Sequence, residues 1–174
     1  MTGLRTTLVL GGARSGKSAF AEKLVRESGL ARVYLATAAP GDEEMRARIA
    51  HHRQQRGDGW LTIEEPLALV DGLTREAGRG RAVLIDCLTL WLSNLMLAGR
   101  DPEIEARRLA RFLDVAPGPV VLVSNEVGLG LVPETPLGRA FRDAQGRLNQ
   151  IVAAVVPNVV FVAAGLPLWL KQSS

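Results

Sequence analysis

Five short runs of apolar residues recur along the chain, separated by longer segments in which apolar residues have helical spacing. The short runs are rich in Val, Leu and Ile, and most lack the alternation of a strand with one face in solvent. Helices are therefore expected to cover both faces of the sheet that these runs form. The runs predict strands over residues 6–10, 32–36, 82–86, 120–123 and 159–163.

The intervening segments repeat their apolar residues every three or four positions, which is the period of an amphipathic helix. They predict helices over residues 17–27, 42–55, 66–77, 88–97, 102–113 and 137–155. The fifth start is the best defined, because Asp101 is a favourable cap and Pro102 takes the first helical position. This alternation predicts an α/β fold with a mostly parallel sheet and helices on both faces.

The composition is that of an ordinary globular protein, since 47% of the 174 residues are hydrophobic and 22% are charged. We expect a single domain over 1–174, because no repeat or linker divides the chain. The apolar stretch 8–10 is too short for a signal peptide or a membrane span. The single cysteine, Cys87, lies in an apolar run that predicts a buried, inert thiol, which suits a cytoplasmic location.

The first predicted strand leads into a phosphate-binding motif. Residues 11–18 match G-x-x-x-x-G-K-[ST] and are followed by an amphipathic segment, which is the context that the motif requires. Lys17 would reach the β- and γ-phosphates as a catalytic group, and the Ser18 hydroxyl can ligate Mg2+. The motif predicts a P-loop NTPase-like domain that binds nucleotide through Gly11, Gly12, Ala13, Arg14, Ser15, Gly16, Lys17 and Ser18.

A carboxylate at the end of a predicted strand is the second candidate metal ligand. P-loop enzymes usually hold the metal ion, or its waters, with an acidic group on a neighbouring strand. The run 82–86 ends in Asp86, so Asp86 joins Ser18 as a predicted Mg2+ ligand. The alternative is that Asp86 caps the helix beginning at Leu88.

The chain contains two histidines, His51 and His52, and both fall in the predicted helix 42–55. Met45, Ile49 and His52 have the spacing of a core-facing stripe, so His51 is turned about 100° away from it. A neutral imidazole can attack phosphorus, and His51 is the more available of the two. On these residues alone, a pair of surface histidines is the alternative.

Several motifs taken together resemble one family over nearly the whole chain. They are the phosphate loop, Thr37, the segments 42–45 and 48–53, Trp60, Thr62, Glu64, the stretch 124–134, and residues 138–139, 141–143 and 146–150. The set is similar to the bifunctional adenosylcobinamide kinase and adenosylcobinamide-phosphate guanylyltransferase of cobalamin biosynthesis. The histidine segment and the Asn-Glu-Val-Gly stretch from Asn125 to Gly128 are its most specific parts.

The resemblance implies two reactions. ATP or GTP would phosphorylate the aminopropanol hydroxyl of adenosylcobinamide, and GMP from GTP would then be transferred to adenosylcobinamide phosphate, giving adenosylcobinamide-GDP. His51 would carry the GMP covalently, and the enzyme would be a homo-oligomer, with a trimer as one candidate form. By matching position, the resemblance implies further nucleotide contacts at Thr37, Ala38, Ala39, His52, Arg53, Gln54, Gln55, Glu64 and Asp86.

Several alternatives remain open at the level of sequence. Glu64 could be an exposed strand carboxylate, and Asn125 and Glu126, expected near substrate at the end of a strand, could form a structural loop. One rival function is a P-loop kinase of another small molecule. A second is a nucleotide switch or a nucleic-acid-associated ATPase. Only 5% of residues are aromatic and no basic cluster contains them, so nucleic acid is not an expected partner.

Overall fold

The computed structural model describes residues 3–38, Glu43, Ala50, Gln54 and residues 56–173. Most of the predicted helix 42–55 therefore lies outside the described residues. So do five of the predicted site residues, namely Ala39, His51, His52, Arg53 and Gln55.

Strands and helices alternate along the described chain as the apolar pattern predicts. The strands are β1 (Thr7–Gly11), β2 (Ala31–Ala36), β3 (Trp60–Glu64), β4 (Arg81–Asp86), β5 (Val120–Asn125), β6 (Asn158–Ala163) and β7 (Leu166–Gln172). The helices are α1 (Lys17–Glu27), α2 (Leu69–Glu76), α3 (Leu88–Leu97), α4 (Pro102–Asp114) and α5 (Pro136–Val155). All five predicted strands are confirmed to within three residues at each end, and so are five of the six predicted helices, the sixth being 42–55. β3 and β7 are not among the predicted strands.

The strands form one sheet in the order β3-β2-β4-β5-β1-β6-β7. Six strands are parallel, and β7 is antiparallel to β6. The β6–β7 turn consists of Ala164 and Gly165, whose φ angles of 51° and 77° match the positive values that a tight two-residue hairpin needs. The expected α/β architecture with a mostly parallel sheet is thereby confirmed.

Helices cover both faces of the sheet, as the continuous apolar runs of the central strands require. On one face, Leu8, Ile85 and Leu122 pack with residues of α2 to α5. On the other, Val9 and Val123 pack with residues of α1. Burial of one large aliphatic side chain stabilises a fold by roughly 1.5–3 kcal/mol, so the two cores hold the sheet and helices together.

The start of α4 follows the capping signal of the sequence. Asp101 Oδ1 accepts hydrogen bonds from Glu103 N at 2.8 Å and Ile104 N at 3.3 Å, with Pro102 first in α4. None of the helices in the described ranges is both long and apolar enough to cross a membrane.

Candidate active site

The phosphate loop connects β1 to α1. Gly16, the residue before α1, has φ 93°, a left-handed conformation that favours glycine, and no side chain caps the helix. The first N–H groups of a helix have no partner within it, so they and the positive end of the helix dipole can face a phosphate. Lys17 and Ser18 open the helix and therefore lie at this anion-binding end.

Contacts from two other parts of the sheet fix the loop. Gly165 N, in the β6–β7 turn, donates to Ser15 O at 2.8 Å, and Glu126 N, after β5, donates to Gly11 O at 3.1 Å. A Cβ on Gly11 would lie 2.5 Å from Ser15 Oγ and 2.6 Å from Val162 O. The loop can take this position against β6 only because residue 11 is glycine.

The loop also carries the positive charge that a polyphosphate needs. Lys17 Nζ donates to Gly12 O at 3.0 Å, which holds the ammonium group over the loop. Arg14 is exposed at the tip of the loop with φ 54°. Two cations and the free N–H groups of α1 therefore converge on one small region, which suits a nucleoside triphosphate.

Asp86 ends β4 at the same edge of the sheet, but not on the strand next to β1. The expectation that the acidic group ends a strand adjacent to β1 was wrong, because β5 lies between β4 and β1 and separates them by two strand spacings, about 10 Å. The role of Asp86 as a Mg2+ ligand stays a prediction. The Tyr34 hydroxyl donates to the Asp86 carboxylate, and this contact, after burial, raises the pKa of Tyr34 well above its usual range. The capping alternative is also wrong, since Cys87 Sγ accepts from Leu90 N at 3.5 Å as the cap of α3.

The donor set fits Mg2+. This ion prefers oxygen ligands and usually takes one or two from the protein, with phosphates and water supplying the rest. The Ser18 hydroxyl and the Asp86 carboxylate are such donors, and both lie at the carboxyl edge of the sheet. Within the described ranges, no group of three or more His, Cys, Asp or Glu residues could hold a metal alone. A metal here would accordingly depend on the nucleotide phosphates.

Thr37 is a brace rather than an open contact. Its fully buried hydroxyl donates to Cys87 O at 2.7 Å and accepts from Cys87 N at 2.8 Å, while its carbonyl accepts from Asn94 Nδ2 at 2.8 Å. The polar groups of Thr37 are thus engaged in joining the ends of β2 and β4. The following residue, Ala38, is half-buried at the same edge.

Cys87 is buried and free, as its apolar surroundings in the sequence predict. Burial raises the pKa of the Cys87 thiol to about 11, and the negative charge of Asp86 adds to this shift. A thiol with this pKa is neutral near pH 7 and therefore a poor nucleophile.

Glu64 lies away from the phosphate loop. It ends the edge strand β3, which is four strand spacings, about 19 Å, from β1. Its side chain is exposed. A nucleotide held by the loop could reach Glu64 only with a part remote from its terminal phosphates.

A cluster around Arg56 was missed by the sequence analysis. Arg56 is only 6% exposed, and its guanidinium carbon lies 3.3 Å from the centroid of the Tyr34 ring in a cation–π contact. Arg26 Nη2 donates to Arg56 O at 3.0 Å and pairs with Glu22 at 3.0 Å. Burial is the main cause that raises the pKa of Glu22, and both arginines oppose it. An arginine in a polar stretch carries no sequence signal of burial.

A polar cavity of about 240 Å³ opens beside this cluster. Its lining residues are Gln54, Arg56, Gly57, Asp58, Gly59, Trp60 and Thr62. Gln54 is exposed and is the one predicted contact of the segment 52–55 that the structure describes.

The sequence matches one family over nearly its full length. Residues 7–170 match the family described as cobinamide kinase / cobinamide phosphate guanyltransferase. The chain is 52% identical over 166 residues to the bifunctional adenosylcobalamin biosynthesis protein CobP of Pseudomonas aeruginosa, covering 94% of this chain and 96% of that protein. It is 39% identical over an alignment of 179 residues to the bifunctional adenosylcobalamin biosynthesis protein CobU of Escherichia coli, covering 94% and 98% of the two chains.

Solved structures share the fold at low sequence identity. A protein from Pyrococcus horikoshii superposes with a TM-score of 0.54 at 11% identity, over 98% of this chain and 87% of that one. The P4 protein of bacteriophage phi6, solved in complex with ADP, superposes with a TM-score of 0.51 at 16% identity, over 94% and 54%. At these identities the likeness concerns the fold alone.

Proposed function

This chain belongs to the cobinamide kinase / cobinamide phosphate guanyltransferase family, and we propose that it catalyses both reactions on adenosylcobinamide. The proposal rests above all on the match over residues 7–170, in a chain whose residues 11–18 form a braced phosphate loop. Kinase and guanylyl transfer both begin with a bound triphosphate, so one loop can serve both reactions. The family match favours this function over a P-loop kinase of another small molecule.

In the kinase step, the aminopropanol hydroxyl oxygen of adenosylcobinamide attacks the γ-phosphorus of ATP or GTP. A new oxygen–phosphorus bond forms, the bond from the γ-phosphorus to the bridging oxygen breaks, and the hydroxyl proton is released. The products are adenosylcobinamide phosphate and a nucleoside diphosphate. Lys17 and the N–H groups at the start of α1 would stabilise the charge that develops on the phosphate oxygens.

In the guanylyl step, a nitrogen of His51 attacks the α-phosphorus of GTP and displaces pyrophosphate. A phosphate oxygen of adenosylcobinamide phosphate then attacks the same phosphorus, and the nitrogen–phosphorus bond breaks as the imidazole leaves. The products are adenosylcobinamide-GDP and free His51. His51 lies outside the described residues, so this role stays a prediction from the sequence.

The remaining ligands of the site are proposed on the same basis. Ser18 and Asp86 would hold Mg2+, which neutralises phosphate charge when bound. The predicted nucleotide contacts are Ala38, Ala39, His52, Arg53, Gln54, Gln55 and Glu64, together with Thr37 acting through its brace to Cys87. A single catalytic domain and a cytoplasmic location also stay predictions from the sequence.

We also propose that this chain forms a homo-oligomer, for which the resemblance suggests a trimer. The edge strand β7 supports this proposal, since Leu166 and Leu168 are exposed on it and its outer backbone edge is unpaired within the described sheet. Exposed apolar edge strands are sites where a second chain can pair.

The function can be tested with purified protein, adenosylcobinamide, GTP and Mg2+. Without the corrinoid we expect no nucleoside diphosphate and at most one pyrophosphate per enzyme, released as an acid-labile GMP adduct forms on His51 and detected by mass spectrometry. With the corrinoid, nucleoside diphosphate and pyrophosphate should both form over many turnovers. His51→Ala should abolish the adduct and guanylyl transfer while keeping phosphorylation. His52→Ala removes the adjacent imidazole, which is a predicted nucleotide contact but not the nucleophile, so at saturating GTP it should still form the adduct. Equal loss of both reactions in His51→Ala would contradict the proposed division of labour.

A further inference from the structure

Asn125 lies at the carboxyl end of β5, beside the phosphate loop. Gly11 is its register partner in the parallel pair of β1 and β5, and the next residue, Glu126, donates its N–H to Gly11 O at 3.1 Å. Side chains alternate along a strand, so Asn125 shares a face with Val123, which packs with residues of α1. The amide of Asn125 is therefore on the face of the sheet that carries the phosphate loop.

Two buried oxygen atoms around Gly11 have no hydrogen-bond partner among the residues that the structure describes. They are Ser15 Oγ, which a Cβ on Gly11 would meet at 2.5 Å, and Asn125 Oδ1. Most buried polar side-chain atoms have partners, and leaving one without costs about 1–3 kcal/mol. Such atoms beside a phosphate loop indicate that a polar ligand, or water held by it, completes this corner.

Partly buried hydrogen bonds fix the backbone of Asn125. Thr89 Oγ1 accepts from Asn125 N at 2.9 Å, and Asn149 Nδ2 donates to Asn125 O at 3.1 Å. Asn149 Oδ1 in turn accepts from Ser124 Oγ at 2.6 Å and from Gln145 Nε2 at 3.1 Å. These contacts fix the backbone from which the Asn125 amide projects, which limits the rearrangement needed when charge develops beside it and so favours electrostatic catalysis.

The phosphates nearest Asn125 are expected to be the β- and γ-phosphates. Lys17 is the residue that contacts these two groups in a phosphate loop. Its Nζ donates to Gly12 O at 3.0 Å, one residue after the register partner of Asn125. The reacting end of the triphosphate is therefore expected at the carboxyl ends of β1 and β5, within the region that Asn125 borders.

We propose that Asn125 is a catalytic residue of the kinase step. Its amide N–H donates to a γ-phosphate oxygen, and its amide oxygen accepts from the cobinamide hydroxyl that attacks the γ-phosphorus. The amide thereby aligns the oxygen that forms the new bond with the phosphorus whose bond to the bridging oxygen breaks. This inference rests on the proposed function, and it assigns Asn125 to γ-phosphoryl transfer rather than to attack on the α-phosphorus.

The test compares Asn125→Ala and Asn125→Asp with the wild type. Removing one preorganised donor typically lowers kcat about 100- to 1,000-fold. We expect such a loss in cobinamide phosphorylation, while the Kd for GTP stays within roughly threefold and formation of the GMP adduct within roughly tenfold. Asn125→Asp keeps the shape but replaces the donor with a negative charge, so its kcat should fall at least as far as that of Asn125→Ala.

Asn158→Ala is the matched control. Asn158 begins β6, where it is the register partner of Thr7 at the opposite end of β1, and its side chain contacts Ser173. Its kcat should equal that of the wild type. If Asn125→Ala does not fold, the similarly shaped Asn125→Asp decides the question.

The outcomes separate this inference from the proposed function. A folded wild-type protein that does not phosphorylate adenosylcobinamide contradicts the proposed function itself. An active wild type with unchanged kcat in both Asn125 variants overturns the role of Asn125. Equal loss of phosphorylation, adduct formation and GTP affinity overturns it as well, because that pattern describes a residue that merely supports the loop.

Discussion

The contact between Gly11 and β6 makes a sharp prediction about two adjacent glycines. In Gly11→Ala, the new Cβ would lie 2.6 Å from Val162 O and 2.5 Å from Ser15 Oγ, whereas ordinary contacts begin near 3.4 Å. Ser15 can rotate its hydroxyl away, but Val162 O belongs to a strand that pairs with β1. The clash must therefore be relieved by moving the backbone of the loop or of β6. In Gly12→Ala, the new Cβ meets nothing within 4 Å.

Overpacking of this kind costs about 1–3 kcal/mol. Since 1 kcal/mol shifts Tm by about 2–4 °C at this chain length, we expect Gly11→Ala to lower Tm by about 2–12 °C. Gly12→Ala should stay within about 0.5 kcal/mol of the wild type. Thermal unfolding followed by circular dichroism measures both variants under the same conditions. Equal Tm values for the two variants would refute the claim that β6 restricts residue 11.

Three further predictions concern the site and its supports. Lys17→Ala should abolish both transfer reactions. The Tm should change little, since the one described hydrogen bond of Lys17 is to Gly12 O. An assay of both products checks this prediction, and formation of either product at the wild-type rate would contradict it. Thr37→Val should cost about 1–3 kcal/mol, because the buried N–H of Cys87 loses its described partner while Cys87 O still accepts from Trp91 N at 3.2 Å. Urea unfolding measures the loss, and Thr74→Val, at an exposed position of α2, is the control. Folding raises the pKa of the Cys87 thiol from 9.0 to about 11. The contribution of this thiol to the free energy of unfolding is therefore fully present below pH 9 and is lost as the pH rises through 11. The stability advantage of the wild type over Cys87→Ala should therefore shrink between pH 8 and pH 10.5, and parallel pH profiles would contradict the assignment.

The sequence predicts the central strands well because their environment leaves a clear pattern. A strand covered on both faces, such as β4 or β5, is a continuous apolar run that no turn interrupts. The two edge strands lack this pattern. β3 has only partly buried or exposed residues, and β7 is exposed throughout and contains Pro167, which weakens a strand prediction.

The composition of the phosphate loop was predictable, but its neighbours were not. A local motif identifies residues 11–18, whereas the order of parallel strands depends on contacts between distant segments, so the insertion of β5 beside β1 leaves no local trace. Gln145 and Asn149 illustrate the same limit. They are polar, yet they lie on the buried side of α5 between Ala144, Leu148 and Val152, and only the partners on β5 explain why burial is tolerated.

The β6–β7 turn has a practical consequence for protein engineering. Short exposed hairpins are usually safe places to insert an epitope or a fluorescent reporter. Here the N–H of Gly165 donates to Ser15 O at 2.8 Å, so lengthening this turn would break a hydrogen bond that positions the phosphate loop. A reporter placed between Ala164 and Gly165 would consequently disturb the phosphate loop. Gly99, which follows α3, is exposed and has no atom within 4 Å of the position of a Cβ, so it is the better insertion site.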